Sequence, residues 1–129
     1  MTTDKELLKL AHSVCANAYA PYSKFKVGAC ALYESGKYYL GCNVENASFG
    51  LSLCAERNAI SNAVASGEKT KLVKIAIVSD NTALCFPCGA CRQWFSEFCS
   101  EGFEVIVENA SKEPQSFKMS EILPNSFKL

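Results

Sequence analysis

Several features are scarce in this 129-residue sequence, and each scarcity excludes a class of protein. No apolar run approaches the roughly 18 residues of a membrane-spanning helix, so we expect no membrane partner. Lysine plus arginine and aspartate plus glutamate number 13 each, which leaves no net charge to attract nucleic acid. Seven glycines and four prolines are too few for a disordered or low-complexity chain. We therefore expect a single globular domain over residues 1–129.

Cysteine, in contrast, is abundant, with eight residues. The opening MTTDKE lacks the apolar core of a secretion signal, so we expect a cytoplasmic location in which the thiols stay reduced. Eight reduced cysteines need another explanation, which is metal binding, a catalytic nucleophile or plain burial. The only histidine is His12, in a predicted helix, and nothing else in the sequence supports a Cys/His hydrolase.

The order of predicted elements indicates one mixed sheet covered by helices. Apolar residues at helical spacing after the capping pattern Thr3-x-x-Glu6 predict the first helix. A strand, a helix and a strand over 72–108 predict a right-handed parallel crossover. The predicted helices span about 4–19, 54–66, 88–99 and 120–123. The predicted strands span about 26–33, 37–44, 72–78, 103–108 and 115–119.

Three cysteines lie at the predicted starts of two helices, in the segments Cys54-Ala55-Glu56 and Pro87-Cys88-Gly89-Ala90-Cys91. Free N–H groups at helix starts favour thiolates, and the three sulfurs converge if both helices begin at one edge of the sheet. Three thiolates suit one zinc ion per chain and leave its fourth position open, as in catalytic sites. They also make the centre anionic, and Arg57 is the first candidate to balance that charge.

Glu56 is the candidate catalytic residue. A carboxylate beside a zinc-activated water can accept its proton and pass it to a substrate. Cys-x-x-Cys alone is a weak signal, but an upstream Cys-Ala-Glu with Pro-Cys-x-x-Cys matches the signature of zinc nucleobase deaminases.

Beyond these motifs, the sequence resembles the short, homotetrameric cytidine deaminases along nearly its whole length. The resemblance rests on APYSKFKVGA at 20–29, GCNVENA at 41–47, the two zinc motifs and LPNSF at 123–127. It implies an α/β fold, a three-layer α/β/α sandwich with a mixed five-stranded sheet. It also implies hydrolysis of cytidine and 2′-deoxycytidine by a zinc-activated water, in pyrimidine salvage, with a nucleoside rather than a nucleic acid as partner.

The resemblance further implies a role for each matching residue. Cys54, Cys88 and Cys91 would bind zinc, Glu56 would move protons, and Arg57 would donate to cysteine sulfurs. The residues implied in substrate binding are Phe25 against the pyrimidine, Asn43 and Glu45 at the ribose, the Ala55 N–H at the C2 carbonyl, and Phe127 closing a neighbouring subunit's site. The sequence departs from the family at Phe49, where tyrosine is common, at Phe86, where serine often stands, and at Cys85.

Other interpretations stay open on the residues alone. Cys85 could complete a closed structural zinc or iron–sulfur site in a noncatalytic module. A deaminase of another aminopyrimidine nucleoside would share the zinc motifs, and an editing deaminase would need a cationic groove. Asn43 and Glu45 could be ordinary loop residues, and Phe25 and Phe127 could belong to a core or an interface.

Overall fold

A mixed five-stranded sheet lies at the centre of the structure, a computed structural model that describes residues 2–129. The strands are β1 (Val27–Tyr33), β2 (Tyr38–Cys42), β3 (Leu72–Ser79), β4 (Cys99–Glu108) and β5 (Pro114–Lys118). The helices are α1 (Asp4–Cys15), α2 (Ala55–Ala65), α3 (Gly89–Phe98) and the short α4 (Met119–Ile122). The strand order is β2-β1-β3-β4-β5, and only the β3–β4 pair is parallel. The predicted mixed sheet and its parallel crossover are therefore confirmed.

Alternation along β1 explains why the sheet carries helices on both faces. Cys30 and Leu32 point into the apolar core beneath α1. Ala29 and Ala31 point into the larger core beneath α2 and α3. Successive side chains of a strand face opposite sides, so a strand that is apolar at every position must be covered twice. This arrangement is the predicted three-layer α/β/α sandwich.

Two glycines allow these helices to lie very close to the sheet. A Cβ placed on Gly28 would lie 2.1 Å from the carbonyl oxygen of Ala11 in α1. A Cβ placed on Gly41 would lie 2.3 Å from the backbone nitrogen of Ala59 in α2. A larger residue at either position would displace a helix. Gly41 therefore fixes the position of α2, which Cys54 immediately precedes.

The first helix starts as its sequence predicts. The hydroxyl of Thr3 accepts a hydrogen bond from the Glu6 N–H at 3.2 Å, which satisfies one of the free donors of the first turn.

None of the helices within residues 2–129 has the length and apolar character of a membrane span.

Two predicted boundaries are wrong by more than two residues. α1 ends at Cys15 rather than at 19, because the backbone of Tyr19 pairs with the segment after β2 instead of continuing the helix. β4 begins at Cys99 rather than at 103, because the chain leaves α3 directly in an extended conformation and Cys99 pairs with Leu72. The structure also has a single turn of 3₁₀ helix at Phe49–Leu51 that the sequence did not predict.

Candidate active site

The two cysteine motifs meet at one edge of the sheet. Cys54 immediately precedes α2, Cys88 immediately precedes α3, and Cys91 lies in the first turn of α3. Their three sulfur atoms lie within 4.8 Å of one another, and the Cys54 and Cys88 sulfurs are 3.8 Å apart. The predicted convergence of the three sulfurs is confirmed.

The donor set fits a zinc ion. Tetrahedral zinc with sulfur ligands at about 2.3 Å places the sulfurs about 3.8 Å apart, which is the separation of Cys54 and Cys88. Arg57 Nη2 donates to the Cys54 sulfur at 3.4 Å, as expected of a charge-balancing residue. The buried Nε of Arg57 has no hydrogen-bond partner among residues 2–129. A guanidinium held against the sulfurs offsets the negative charge that three thiolates add.

The thiols already interact with one another. Hydrogen bonds from Cys91 and then from Arg57 lower the pKa of the Cys54 thiol to about 5, despite its partial burial. The pKa of Cys91 moves upward, because Cys91 donates to Cys54 and is itself buried. A lowered thiol pKa favours the thiolate, which is the form that binds metal.

Cys85 lies outside this cluster of sulfur atoms. It is a buried free thiol, and burial raises its pKa to about 12. Because the converging sulfurs among residues 2–129 are those of Cys54, Cys88 and Cys91, a closed four-cysteine site is not favoured.

Glu56 lies in the first turn of α2 and is only 4% exposed. Burial raises the pKa of its carboxyl group to about 7. Glu56 is one of the residues that form the wall of a cavity of about 340 Å³, together with Cys54 and Cys88 of the sulfur cluster. The other residues of that wall are Ser23, Phe25, Val27, Asn43, Glu45, Ser52, Leu53, Cys54, Ala55, Cys85, Phe86 and Cys88. The cavity therefore brings together six predicted catalytic, metal-binding or substrate-binding residues around Glu56.

The early end of α1 leaves the backbone of Tyr19 free to bond two residues of the cavity wall. The Tyr19 N–H donates to the carbonyl of Asn43 at 3.0 Å, and the Glu45 N–H donates to the carbonyl of Tyr19 at 2.8 Å. These two bonds hold the segment that carries Asn43 and Glu45 beside the loop before β1. The same departure from helical structure that the sequence missed thus positions two predicted site residues.

Asn43 and Glu45, two polar residues of this wall, form hydrogen bonds with other groups of the same chain. Asn43 Nδ2 donates to the Phe25 carbonyl, and Asn43 Oδ1 accepts from the Val27 N–H, both at 2.8 Å. The Glu45 carboxylate accepts from the Ser23 hydroxyl and from the N–H groups of Ser23 and Tyr22. The Ser23 hydroxyl in particular lowers the pKa of Glu45. Asn43 and Glu45 therefore arrange the loop as well as lining the cavity.

Phe127 does not reach the cavity of its own chain. Phe127 is 68% exposed, and its carbonyl accepts a hydrogen bond from Gln93 Nε2 of α3 at 3.0 Å. Of the predicted site residues within 2–129, Phe127, Arg57 and Cys91 are the ones outside the cavity wall, and the last two adjoin it at the cysteine cluster.

Ser23 has no predicted role, yet the structure places its hydroxyl between Glu45 and Phe25. The available signal was its position two residues before Phe25, in a turn-forming segment after a proline. Nothing in the sequence indicated that Glu45, 22 residues later, would return to the same turn.

Comparison with known proteins agrees with this geometry. Residues 1–107 match the family model described as the cytidine and deoxycytidylate deaminase zinc-binding region. The chain belongs to the cytidine and deoxycytidylate deaminase family. It therefore shares the family's zinc-binding region, which includes all three converging cysteines.

Individual family members are similar over most of their length. A cytidine deaminase of Halalkalibacterium halodurans is 42% identical over 121 residues, covering 94% of this chain and 91% of the relative. A cytidine deaminase of Mycobacterium tuberculosis is 40% identical over 119 residues, covering 92% and 85%. The crystal structure of cytidine deaminase from Burkholderia pseudomallei superposes with a TM-score of 0.88 at 40% identity, covering 97% of this chain and 99% of that one. The deaminase fold and the enzyme class follow from these similarities.

Proposed function

We propose that the chain hydrolyses cytidine and 2′-deoxycytidine to uridine and 2′-deoxyuridine with release of ammonia. The observation that carries this proposal is the buried carboxyl of Glu56 in a cavity wall beside three converging cysteine sulfurs. This is the combination that hydrolytic removal of a ring amino group needs, a metal centre with an adjacent proton carrier.

The chemistry of the cavity divides among its residues. Cys54, Cys88 and Cys91 would hold zinc, which, when bound with an open fourth position, supplies an activated water. Glu56 would carry two protons in turn, both from the attacking water: the first goes to the pyrimidine ring nitrogen and stays there, and the second goes to the amino group, which leaves as ammonia. Because Glu56 is buried, bulk water does not compete for these protons. Arg57 donates to the Cys54 sulfur and so offsets the charge of the thiolates.

The remaining wall suits a nucleoside. Phe25 offers an aromatic face to the base, and the Ala55 N–H at the start of α2 offers a donor for the C2 carbonyl. Asn43 and Glu45 offer the ribose hydroxyls their unused acceptor positions and the second N–H of the amide. The cavity volume of about 340 Å³ suits a small molecule of this size.

We propose a homotetramer in which Phe127 closes the cavity of a neighbouring subunit. Its exposure in its own chain and the resemblance at 123–127 support this assignment. Mass measurement by light scattering tests it, with four chains per particle expected and a monomer contradicting it. The cytoplasmic location, the single-domain organisation and the place in pyrimidine salvage stay predictions from the sequence.

A substrate panel separates this function from its alternatives. The zinc-loaded protein is mixed with cytidine, 2′-deoxycytidine, cytosine and a single-stranded oligonucleotide that contains one cytosine, and deaminated product is measured. We expect turnover of the two nucleosides only. Turnover of the oligonucleotide would favour an editing deaminase. Zinc binding without turnover of any of these compounds would favour either another aminopyrimidine nucleoside as substrate or a noncatalytic module.

A further inference from the structure

The hydroxyl of Ser23 lies between two residues that face different parts of the cavity. It donates its only proton to Glu45 Oε2, and it accepts a hydrogen bond from the Phe25 N–H at 3.0 Å. One oxygen atom therefore contacts both the carboxylate on the sugar side and the backbone of the residue on the base side.

The two oxygens of Glu45 are held in different ways. Oε1 accepts from the N–H groups of Tyr22 and Ser23, at 3.0 and 3.2 Å. Oε2 accepts from the Ser23 hydroxyl. Removing that hydroxyl would leave the two backbone bonds in place and free Oε2, so the carboxylate could rotate about its bonded oxygen. Charge-assisted bonds of this kind are the stronger ones, and they set orientation as well as affinity.

The loop that carries Phe25 needs this support. Lys24, between Ser23 and Phe25, has a φ of 61°, in the left-handed region that residues other than glycine rarely adopt. Side chains outside the loop bond the groups on either side of Phe25: Asn81 contacts the Lys24 carbonyl and the Lys26 N–H, both at 3.3 Å. The Phe25 N–H itself donates to the Ser23 hydroxyl. This hydroxyl is therefore one of the groups that hold the backbone of Phe25, and so the base of its ring, in place.

We propose that Ser23 is a positioning residue that couples Glu45 to Phe25. It keeps the residue that contacts the sugar and the residue that contacts the base of one nucleoside in fixed relative positions. This inference rests on the proposed function. It assigns to Ser23 no contact with the reacting atoms, and its effect passes through the two residues it bonds. Loss of the hydroxyl therefore weakens binding of a complete nucleoside more than it slows the chemical step.

The test compares Ser23→Ala, Ser23→Thr and the control Ser13→Ala. Ser13 is an exposed serine of α1 whose hydroxyl donates to the Leu10 carbonyl of its own helix, and it is not among the residues of the cavity wall. Kinetics are measured with cytidine and with 2′,3′-dideoxycytidine, which lacks the hydroxyls that Glu45 would bind. Cytidine affinity is also measured by calorimetry in a Glu56→Ala background, where binding is seen without turnover.

For Ser23→Ala we expect KM for cytidine to rise roughly tenfold, with kcat changed by less than about threefold, since one charge-assisted bond is lost. The rise should shrink to about threefold or less with 2′,3′-dideoxycytidine. Ser23→Thr should restore most of the cytidine affinity, and Ser13→Ala should match the wild type.

Three results would overturn the proposal. They are an unchanged KM in Ser23→Ala, an equal loss for both substrates, and no recovery in Ser23→Thr while its thermal unfolding matches the wild type. The first two leave the proposed function intact, because the wild type still deaminates cytidine. Absence of cytidine turnover by the wild type would overturn the proposed function, and this inference with it.

Discussion

The side-chain amide of Asn43 donates to the carbonyl oxygen of Phe25 at 2.8 Å. Its oxygen accepts from the Val27 N–H at the same distance, so one side chain spans the loop that carries Phe25. A residue that the family resemblance places at the ribose is therefore also part of the structure that holds the base-facing ring. Substitution of Asn43 should affect both folding and binding.

For Asn43→Ala we expect a loss of about 1–3 kcal/mol in the free energy of unfolding, because two hydrogen bonds of roughly 0.5–1.5 kcal/mol each disappear, one partly buried and one exposed. KM for cytidine should rise as well. Urea denaturation and steady-state kinetics measure the two effects. Asn62→Ala is the control, since Asn62 is exposed and its amide makes a longer bond, 3.3 Å, to Leu40. An unfolding midpoint equal to that of the control would contradict this account of Asn43.

Gly41 determines where α2 lies, and Cys54, a proposed zinc ligand, immediately precedes α2. A Cβ at this position would lie 2.3 Å from the Ala59 nitrogen and 2.5 Å from the Ala55 carbonyl oxygen. For Gly41→Ala we expect α2 to be displaced, with stability lower by about 1–3 kcal/mol or more and with reduced zinc content. Gly102→Ala is the matched control, because a Cβ there has no neighbour within 4 Å among residues 2–129. Equal stability and zinc content in both variants would contradict the prediction.

We expect replacement of Cys88 and of Cys85 to change the zinc content differently, because Cys88 belongs to the three-sulfur cluster and Cys85 does not. Cys88→Ser should lose most of its bound zinc, because serine is a poor zinc ligand and a sulfur of the cluster is removed. Cys85→Ser should retain about one zinc per chain, since Cys85 lies outside the cluster. Elemental analysis of the purified variants measures both. Release of zinc from Cys85→Ser would support the closed four-cysteine site instead.

Glu68, which is not a residue of the cavity wall, makes the stability of the fold depend on pH in the acid range. Hydrogen bonds from the hydroxyls of Thr70 and Ser35, with that of Tyr39, lower its pKa from 4.5 to about 2. Because the folded state prefers the carboxylate, this stabilisation is complete above the unfolded pKa and is lost as the pH falls through 4.5 to about 2.

We therefore expect Glu68→Gln to unfold at a lower temperature than the wild type at pH 7. The difference should be constant above pH 5.5, about one unit above the unfolded pKa, and should shrink as the pH approaches 2. Thermal denaturation followed by circular dichroism across this range measures it. A difference that does not change with pH would show that the carboxylate charge at Glu68 has no part in the stability.

The sequence predicted most of the fold because its local signals agreed with its tertiary packing. The continuous apolar run of β1 required cover on both faces, and the cysteine motifs stood at helix starts that share one edge of the sheet. The end of α1 was not predicted, because the helical spacing of apolar residues continues to Ala18, whereas the backbone of Tyr19 pairs with the distant Asn43 and Glu45. The double role of Asn43 and the position of Ser23 depend on the same long-range contact.

Phe127 marks another limit of sequence reasoning. Its motif was visible, yet within its own chain the side chain lies exposed on the surface near α3. A residue whose proposed partner is on another subunit cannot be located from the folding of one chain.

The most direct test of the account is to follow the ultraviolet absorbance of cytidine with the zinc-loaded wild type and with Glu56→Ala. Glu97→Ala, an exposed substitution on α3, is the control. We expect cytidine to be converted to uridine by the wild type and the control. Glu56→Ala should keep one zinc per chain and lose turnover by a factor of at least about 10², the usual contribution of a general acid–base residue. Full activity in zinc-loaded Glu56→Ala, or no conversion by the wild type, would contradict the central claim.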